Sequence, residues 1–387
     1  MTQLKEIIQE LREDIVGIRR QVHQFPETAF TEEKTSRYVA ERLSAEGLEV
    51  RTGLATYGVS ADLDSGRPGP TLLIRADMDA LPIEEATGLP FASRHPGRMH
   101  ACGHDGHVAM ALGAARALNR LRESFSGRIR FVFQPAEEGP GGAKPMIEAG
   151  VMDDPRVDYS LACHLWPDIP EGSIGVRSGP FMAAMDRFDV RITGKGGHGA
   201  MPHLCVDALE VGTQVVGALQ RIVSRHLDPL GTAVVTVGSF HAGQAFNVIP
   251  EQAEFSGTTR TFDPAVWESW KERLETVVGG VCAAMGAGYE LRFLQGYPVT
   301  VNDPGMAELV ERAAARVVGR DRVVVPNRTM GGEDFSFFLE RSKGCFFAVG
   351  VGREGGVPVH NPCFDFNEDM LLLGVETFCR AAFELLG

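Results

Sequence analysis

The chain has 387 residues, of which 44% are hydrophobic and 23% are charged, a composition typical of a soluble globular protein. A chain of this length exceeds the size at which a single hydrophobic core usually stops growing, so we expect two domains. Nucleic-acid-binding proteins usually present a basic surface, whereas this chain has a net charge of -13. We therefore expect no nucleic-acid partner.

The N-terminal residues and the cysteines predict a cytoplasmic protein. The chain begins with a charged amphipathic stretch, and it contains no run of about 18 apolar residues, so we expect neither a secretory signal nor a membrane span. The seven cysteines are odd in number and scattered along the chain. That pattern is typical of reduced thiols and not of a disulfide framework.

Hydrophobic spacing in the first 182 residues predicts alternating helices and strands. The helices are expected over 2–24, 32–46 and 107–122, and the strands over 48–52, 58–63, 71–76, 128–133 and 158–163. Such alternation is typical of a largely parallel sheet, whose ligands bind outside the carboxyl ends of the strands. The polar residues that directly follow predicted strands are therefore expected at one edge; they are Asp77, Asp79, Glu137, Glu138 and His164.

Residues 183–294 have a different pattern. Their predicted order is strand 187–193, helix 205–226, strands 232–240 and 252–261, helix 264–285 and strand 288–294. This β-α-β-β-α-β order is typical of a ferredoxin-like unit. Helices near 305–318, near 333–341 and from about 367, with a strand over 345–350, follow it. The expected fold is therefore α/β, with a discontinuous main domain (1–182 and 295–387) built on a mostly parallel central sheet and an inserted ferredoxin-like domain (183–294).

The densest group of reactive side chains lies in the segment His100–His107, which reads HACGHDGH. Thiolate, imidazole and carboxylate groups are the ligands of borderline-soft ions such as zinc. The alternative is a polar helix start with capping residues. A structural zinc site would need a second cluster of Cys or His pairs, which the sequence does not contain. The segment therefore predicts an open metal site with a catalytic role.

Two carboxylate pairs follow predicted strands. In the pair Glu137 and Glu138, one residue can bind a metal ion while its neighbour transfers protons, although a solvated loop would carry the same residues. In the pair Asp77 and Asp79, a carboxylate can accept the free ring proton of a metal-binding histidine, or it can cap a turn. His164 ends an apolar run, and a lone histidine in that place can also be a core residue.

Further polar residues stand in loops. His360 lies in a proline-rich loop, and His198 lies among small residues over 194–203 that allow close approach of a ligand to the backbone. The His198 segment lacks the Lys-Ser/Thr ending of a P-loop, and a flexible hairpin connection remains its alternative. Asn247 and Arg260 are polar candidates in the same domain, because an arginine can hold a carboxylate with two hydrogen bonds.

Together these motifs resemble those of the metallopeptidase-like amidohydrolase family, which includes hippurate hydrolases, auxin-conjugate hydrolases, aminoacylases, N-acetyl-diaminopimelate deacetylase and, more distantly, glutamate carboxypeptidases. The resemblance covers nearly the whole chain. In chain order it rests on the strings HQFPE (23–27), ADMDALP (76–82), CGHDGH (102–107), QPAEE (134–138), the His198 loop and MGGEDF (330–335).

The resemblance implies a catalytic domain interrupted by a dimerisation or lid domain. It also implies two divalent metal ions, whether zinc, manganese or cobalt, and five ligands for them: Cys102, His104, Glu138, His164 and His360. Cys102 stands where the peptidases of the family carry a bridging aspartate, and Asp77 stands where they carry a histidine.

The resemblance also assigns roles to other residues. Glu137 is the expected general base, Asp79 is expected to orient a ligating histidine, and His198 is expected to reach the site of a partner subunit. Asn247 and Arg260 are expected to hold the substrate carboxylate, and Gly332 to line the pocket with its backbone.

The implied reaction is hydrolysis of an N-acyl amino acid by a homodimer or a dimer of dimers. A dipeptidase and an N-acetyl-diaminopimelate deacetylase are the alternatives within the same chemistry. A non-catalytic metal-binding relative is the alternative of another class, and it would require loss of the base, yet Glu137 is present.

Overall fold

A computed structural model describes residues 2–387. The chain folds into two compact units. The first comprises the sequence up to Phe181 together with Val301–Asn327 and Asp334–Gly387, and the second comprises Met182–Thr300 and Arg328–Glu333.

The helices and strands alternate along most of the chain. The α-helices are α1 Thr2–Glu10, α2 Arg12–Gln24, α3 Glu33–Ala45, α4 His104–Arg120, α5 Ala143–Glu148, α6 Ala208–Arg221, α7 Pro264–Met285, α8 Pro304–Val318, α9 Ser336–Leu339 and α10 Met370–Leu386. The strands are β1 Glu49–Leu54, β2 Gly58–Asp64, β3 Thr71–Asp77, β4 Arg128–Gln134, β5 Tyr159–Pro170, β6 Ile174–Gly175, β7 Gly179–Met182, β8 Ala184–Thr193, β9 Gly197–His198, β10 Ala233–Ala242, β11 Val248–Ile249, β12 Gln252–Thr261, β13 Gly288–Tyr297, β14 Thr300–Asn302, β15 Val323–Val324 and β16 Lys343–Gly352.

The first unit is built on an eight-stranded sheet of order β1-β2-β4-β3-β5-β16-β6-β15. The central pairs β4–β3, β3–β5 and β5–β16 are parallel, while β1 and β2 add an antiparallel edge. All seven residues of β3 are buried, as are most of those in β4 and β16. Continuous apolar strands of this kind are typical of a parallel sheet covered on both faces. The predicted α/β fold with a mostly parallel central sheet is confirmed.

Helix α4 begins within the His100–His107 segment and is almost completely buried. Its small residues allow this, because a Cβ added at Gly113 would lie 2.9 Å from Ile15 and 3.0 Å from Val375. Those two residues belong to α2 and α10, so α4 packs between these helices. The helix begins at His104, three residues earlier than the sequence predicts, and places the histidine in its first turn.

The second unit contains an antiparallel sheet of order β10-β12-β8-β13. Helices α6 and α7 pack on it through a separate core that includes Phe188, Leu219 and Trp270. The four strands of this sheet and the two helices follow the predicted order β-α-β-β-α-β, with the first and third strands adjacent as in a ferredoxin-like unit, while β9 and β11 form a separate two-stranded sheet.

Three other predicted elements differ from the structure. The helix expected over 2–24 is interrupted at Leu11, and the helix expected over 333–341 is reduced to α9. The end of β5 was also predicted wrongly, because the strand continues past His164 to Pro170. Strand β16 pairs with β5 from Tyr159 to Trp166, and after an irregularity the pairing resumes at Pro170. None of the helices within residues 2–387 has the length and apolar character needed to cross a membrane.

Candidate metal centre

Five potential metal ligands from different segments of the first unit lie close together. The donor atoms of Cys102, His104 and His164 lie within 4.8 Å of one another, and so do those of Cys102, Glu138 and His360. The Cys102 sulfur therefore belongs to both groups. The structure brings together all five residues that the family resemblance implies.

Two donor pairs in the cluster are in hydrogen-bond contact, and His104 and Glu138 are spaced so that an ion could lie between them. The Cys102 Sγ lies 3.3 Å from His164 Nε2, and His104 Nε2 lies 4.0 Å from Glu138 Oε1. His360 Nε2 lies 2.8 Å from Glu138 Oε1. His104 Nε2 is buried and has no hydrogen-bond partner within the described chain, which is the expected state of a nitrogen whose partner is a cation.

The two buried imidazoles are oriented by backbone carbonyl groups. His104 Nδ1 lies 2.9 Å from the Asp79 carbonyl oxygen, and His164 Nδ1 lies 2.7 Å from the Leu165 carbonyl oxygen. A carbonyl oxygen can only accept a hydrogen bond, so each Nδ1 donates its proton. In the neutral ring, Nε2 is left with its lone pair toward the cluster, which is the tautomer that binds a metal ion.

The charges of the cluster also favour cations. Burial raises the pKa of the Cys102 thiol, and the carboxylates of Glu138 and Glu137 raise it further. Burial lowers the pKa of His164 to about 3, so this imidazole is neutral and available as a ligand. A thiolate surrounded by carboxylates is stable only with a positive charge between them. The donor set and its electrostatics therefore fit divalent ions.

His104 and Glu138 have opposite shifts. Burial by itself would lower the pKa of His104, but the carboxylates of Asp77 and Asp79 outweigh it and raise that pKa to about 10. Burial would raise the pKa of Glu138, but the hydrogen bond from His360 and the charge of His104 lower it. The raised pKa of His104 reflects the negative charges of Asp77 and Asp79, and the lowered pKa of Glu138 reflects the two imidazoles beside it.

Asp79 holds the turn that carries the glutamate pair. Its Oδ1 accepts a hydrogen bond from the Glu137 amide at 3.0 Å, and its Oδ2 accepts one from the Glu138 amide at 2.9 Å. A carboxylate oxygen of Glu137 lies within 4.8 Å of donor atoms of His104 and Glu138. Glu137 is therefore placed beside the ligand cluster.

His107 and Glu32 contribute to the site although neither is among the predicted site residues. His107 Nδ1 lies 2.6 Å from Asp77 Oδ1, and His107 Nε2 accepts a hydrogen bond from the Leu165 amide at 3.0 Å. Both ring nitrogens are engaged, so His107 positions β5 next to His164 instead of binding metal. Its spacing from His104 on α4 was a usable signal. Glu32 accepts a hydrogen bond from the Ala136 amide, 104 positions away, and no local sequence pattern predicts that contact.

The second unit contains the other four predicted site residues. The pairing of β9 with β11 brings His198 next to Asn247, and the Gly199 amide donates to the Asn247 carbonyl at 2.8 Å. The His198 side chain is exposed. Its Nδ1 accepts a hydrogen bond from the Ala200 amide at 3.1 Å, so in the neutral ring the proton is on Nε2 and is available for donation.

Arg260 and Gly332 form the second pair. Arg260 Nε donates to the Met330 carbonyl at 3.1 Å, and Arg260 Nη1 donates to the Thr259 carbonyl at 2.9 Å. A Cβ added at Gly332 would lie 2.5 Å from the Met185 sulfur, so a side chain there would have to displace that methionine. The arginine and the glycine-containing loop are thus held next to each other.

Comparison with known proteins agrees with these features. Residues 73–384 match the family described as Peptidase family M20/M25/M40. The chain belongs to this family. An N-acyl-L-amino acid amidohydrolase of Geobacillus stearothermophilus is 49% identical over 302 residues, which cover 78% of this chain and 81% of that protein. An N-acetyl-L-cysteine deacetylase of Bacillus subtilis is 41% identical over 362 residues, which cover 94% of this chain and 86% of that protein.

A solved relative connects the M20 family to the cluster. The crystal structure of the Bacillus subtilis YXEP protein, described as a dinuclear metal-binding peptidase of the M20 family, has a TM-score of 0.83 and 35% sequence identity. It covers 98% of this chain and 99% of that chain. The two donor groups that share Cys102 and this dinuclear relative both support two metal ions. The M20 chain is a hydrolytic enzyme of metal-dependent amide chemistry.

Proposed function

We propose that this M20 enzyme hydrolyses N-acyl amino acids to a carboxylic acid and a free amino acid. Five residues would hold two divalent ions, whether zinc, manganese or cobalt: Cys102, His104, Glu138, His164 and His360. The observation that carries the proposal is the Cys102 sulfur shared by two donor groups, with Glu137 beside them. Two ions at such a site act as Lewis acids toward the amide carbonyl and acidify the attacking water.

The residues of the chain supply the proton transfers. Glu137 accepts a proton from the attacking water while the water oxygen bonds to the amide carbon. Glu137 then delivers that proton to the leaving nitrogen as the carbon–nitrogen bond breaks, which restores the carboxylate. Asp79 keeps this base in place through its hydrogen bonds to the Glu137 and Glu138 amides.

Arg260 and Asn247 are proposed to bind the substrate carboxylate, with the Gly332 backbone lining the pocket. The hydrogen bonds of Arg260 to Met330 and Thr259 use Nε and Nη1, and Nη2 has no hydrogen-bond partner within residues 2–387. A guanidinium group held in this way is suited to a carboxylate. The relatives named for N-acyl-L-amino acids and N-acetyl-L-cysteine act on amides that carry such a group.

We also propose that a second subunit completes the site, in a homodimer or a dimer of dimers with the second unit as the dimerisation or lid domain. The exposed His198 is surrounded in sequence and pairing by exposed apolar side chains: Met201, Leu204, Phe246 and Val248. A group of this kind is typical of an interaction surface. His198 Nε2 would donate a hydrogen bond to the developing oxyanion in the partner's site. The scattered free thiols support a cytoplasmic location.

The test is a substrate panel with purified, chelator-stripped protein to which zinc, manganese or cobalt is returned. The panel contains hippurate, N-acetyl amino acids, N-acetyl-diaminopimelate and dipeptides. The proposal expects metal-dependent hydrolysis of the acyl amino acids with the highest kcat/KM. A preference for dipeptides or for N-acetyl-diaminopimelate would reassign the substrate. Metal binding without hydrolysis of any amide would identify a non-catalytic relative.

A further inference from the structure

The turn that carries the glutamate pair is held by two buried carboxylates. Its three consecutive amides, those of Ala136, Glu137 and Glu138, each donate a hydrogen bond to a carboxylate oxygen. Asp79 accepts the last two, and Glu32 Oε1 accepts the first at 2.8 Å. Successive amides that point to one side form a concavity for anions, and here the anions come from the chain itself.

Helix capping does not explain the position of Glu32. The residue occupies the N-cap position of α3, yet its side chain makes no capping hydrogen bond. Glu27 performs that function, since its carboxylate accepts from the Lys34 amide at 3.1 Å, the Thr35 amide at 2.9 Å and the Thr35 hydroxyl at 3.1 Å. The Glu32 side chain instead reaches the Ala136 amide.

The burial of the Glu32 carboxyl group has a free-energy cost. The residue is fully buried, and its carboxyl group lies near the charge of Asp79. Burial, with the negative charge of Asp79 as a further cause, raises the pKa of Glu32 to about 7. Placing a carboxyl group there costs free energy, which its hydrogen bonds with the backbone of Glu32 itself, Ala136 and Phe30 offset only in part.

Ala136 is the residue on which this bond acts. Its φ of +58° lies in the left-handed region, which a residue with a Cβ adopts at a cost. Without a partner for its amide, Ala136 would relax toward negative φ and rotate the chain that follows. The first two residues to move would be Glu137 and Glu138.

We infer that Glu32 is a positioning residue, which holds Ala136 in its left-handed conformation and thereby places Glu137 and Glu138. The inference rests on the proposed function for the roles of those two glutamates. The contact itself is independent of that function. The role requires a side chain that is long enough for its oxygen to reach the Ala136 amide. Glutamine at position 32 should therefore preserve the function of glutamate, and the shorter aspartate should not.

Hydrogen exchange in the metal-free protein tests the contact directly. We compare wild type with Glu32→Ala, Glu32→Asp and Glu32→Gln, and with Glu27→Ala as the matched control. The peptide covering 135–139 should exchange about tenfold faster in Glu32→Ala and Glu32→Asp, the loss expected for one hydrogen bond. Glu32→Gln should exchange as wild type does. Glu27→Ala should accelerate exchange only in the first turn of α3.

Steady-state kinetics of the metal-loaded variants test the consequence. Glu32→Ala and Glu32→Asp should lower kcat tenfold to a hundredfold, in the range that misplacement of a catalytic group by about 1 Å produces, with little change in KM. Glu32→Gln should restore kcat, and Glu27→Ala should leave kcat unchanged. The rescue by glutamine is a result that a loss of general stability would not produce.

Two results would overturn the inference: exchange of 135–139 at the wild-type rate in Glu32→Asp, or a wild-type kcat in a variant whose turn exchanges faster. If Glu32→Ala does not fold, Glu32→Asp provides both measurements. If the exchange results hold and wild type cleaves none of the acyl amino acids, the positioning contact stands and the proposed function fails.

Discussion

Replacement of Asp79 should separate metal binding from catalysis. The carboxylate is buried and accepts hydrogen bonds from the Glu137 and Glu138 amides at 3.0 and 2.9 Å. His104 Nδ1 lies 2.9 Å from the main-chain oxygen of Asp79 and 3.3 Å from its Oδ1, and the closer main-chain contact does not depend on the side chain. We therefore expect Asp79→Ala to bind both ions while the glutamate pair loses its anchor.

The magnitude follows from the two amides that would be left without partners. A buried amide without a hydrogen bond costs about 1–3 kcal/mol, so two of them cost about 2–6 kcal/mol. Removal of the Asp79 charge relieves its repulsion of Glu32, which lowers the expected loss of unfolding free energy toward about 2–4 kcal/mol. In Asp79→Asn one amide keeps an oxygen acceptor and the other faces an NH2 group, so about half that loss is expected.

Denaturant unfolding, metal analysis and kinetics on one acyl amino acid measure the three consequences. The expected result is two bound ions, the loss of stability in the order Ala greater than Asn, and a kcat lowered by about a hundredfold in Asp79→Ala. Wild-type stability and kcat in Asp79→Asn would refute the reasoning, because that variant cannot satisfy both amides.

Four further outcomes are expected. Glu137→Gln should keep both ions and lower kcat by at least about a hundredfold, as loss of a general base does. Cys102→Ala should reduce the metal content below two ions per chain, because its sulfur belongs to both donor groups. Burial by itself would lower the pKa of His23, but the charge of Asp105 outweighs it and raises that pKa from 6.5 to about 9. His23→Gln should therefore lose about 3 kcal/mol of unfolding free energy below pH 6.5. The loss should become smaller as the pH rises through about 9. Mixed dimers of His198→Ala and Glu137→Ala subunits should recover part of the activity that each variant lacks.

Controls make these outcomes decisive. Cys363→Ser replaces an exposed thiol and should keep both ions. If this variant also loses metal, the metal loss in Cys102→Ala is no evidence that Cys102 is a ligand. A difference between wild type and His23→Gln that grows with rising pH would contradict the sign of the His23 shift. Mixed dimers without activity would count against a site shared between subunits.

The sequence predicts the strands and the part of the cluster around Cys102 and His104 because their signals are local, whereas Glu138, His164 and His360 follow from the family resemblance. The buried run 71–76 identifies β3, and the HACGHDGH segment concentrates ligands in eight positions. The rest depends on contacts between distant segments. His164 lies inside β5 because β16 extends it, and Glu32 matters because it reaches Ala136, 104 positions away. Neither interaction has a periodicity or a spacing that a single sequence contains.

A crystal structure of the zinc-loaded protein with anomalous diffraction tests the central claim most directly. We expect two anomalous peaks per chain, both within bonding distance of Cys102 Sγ, one also at His104 or His164 and the other at Glu138 or His360. A single peak, or two peaks of which neither contacts the Cys102 sulfur, would contradict the shared-thiolate centre.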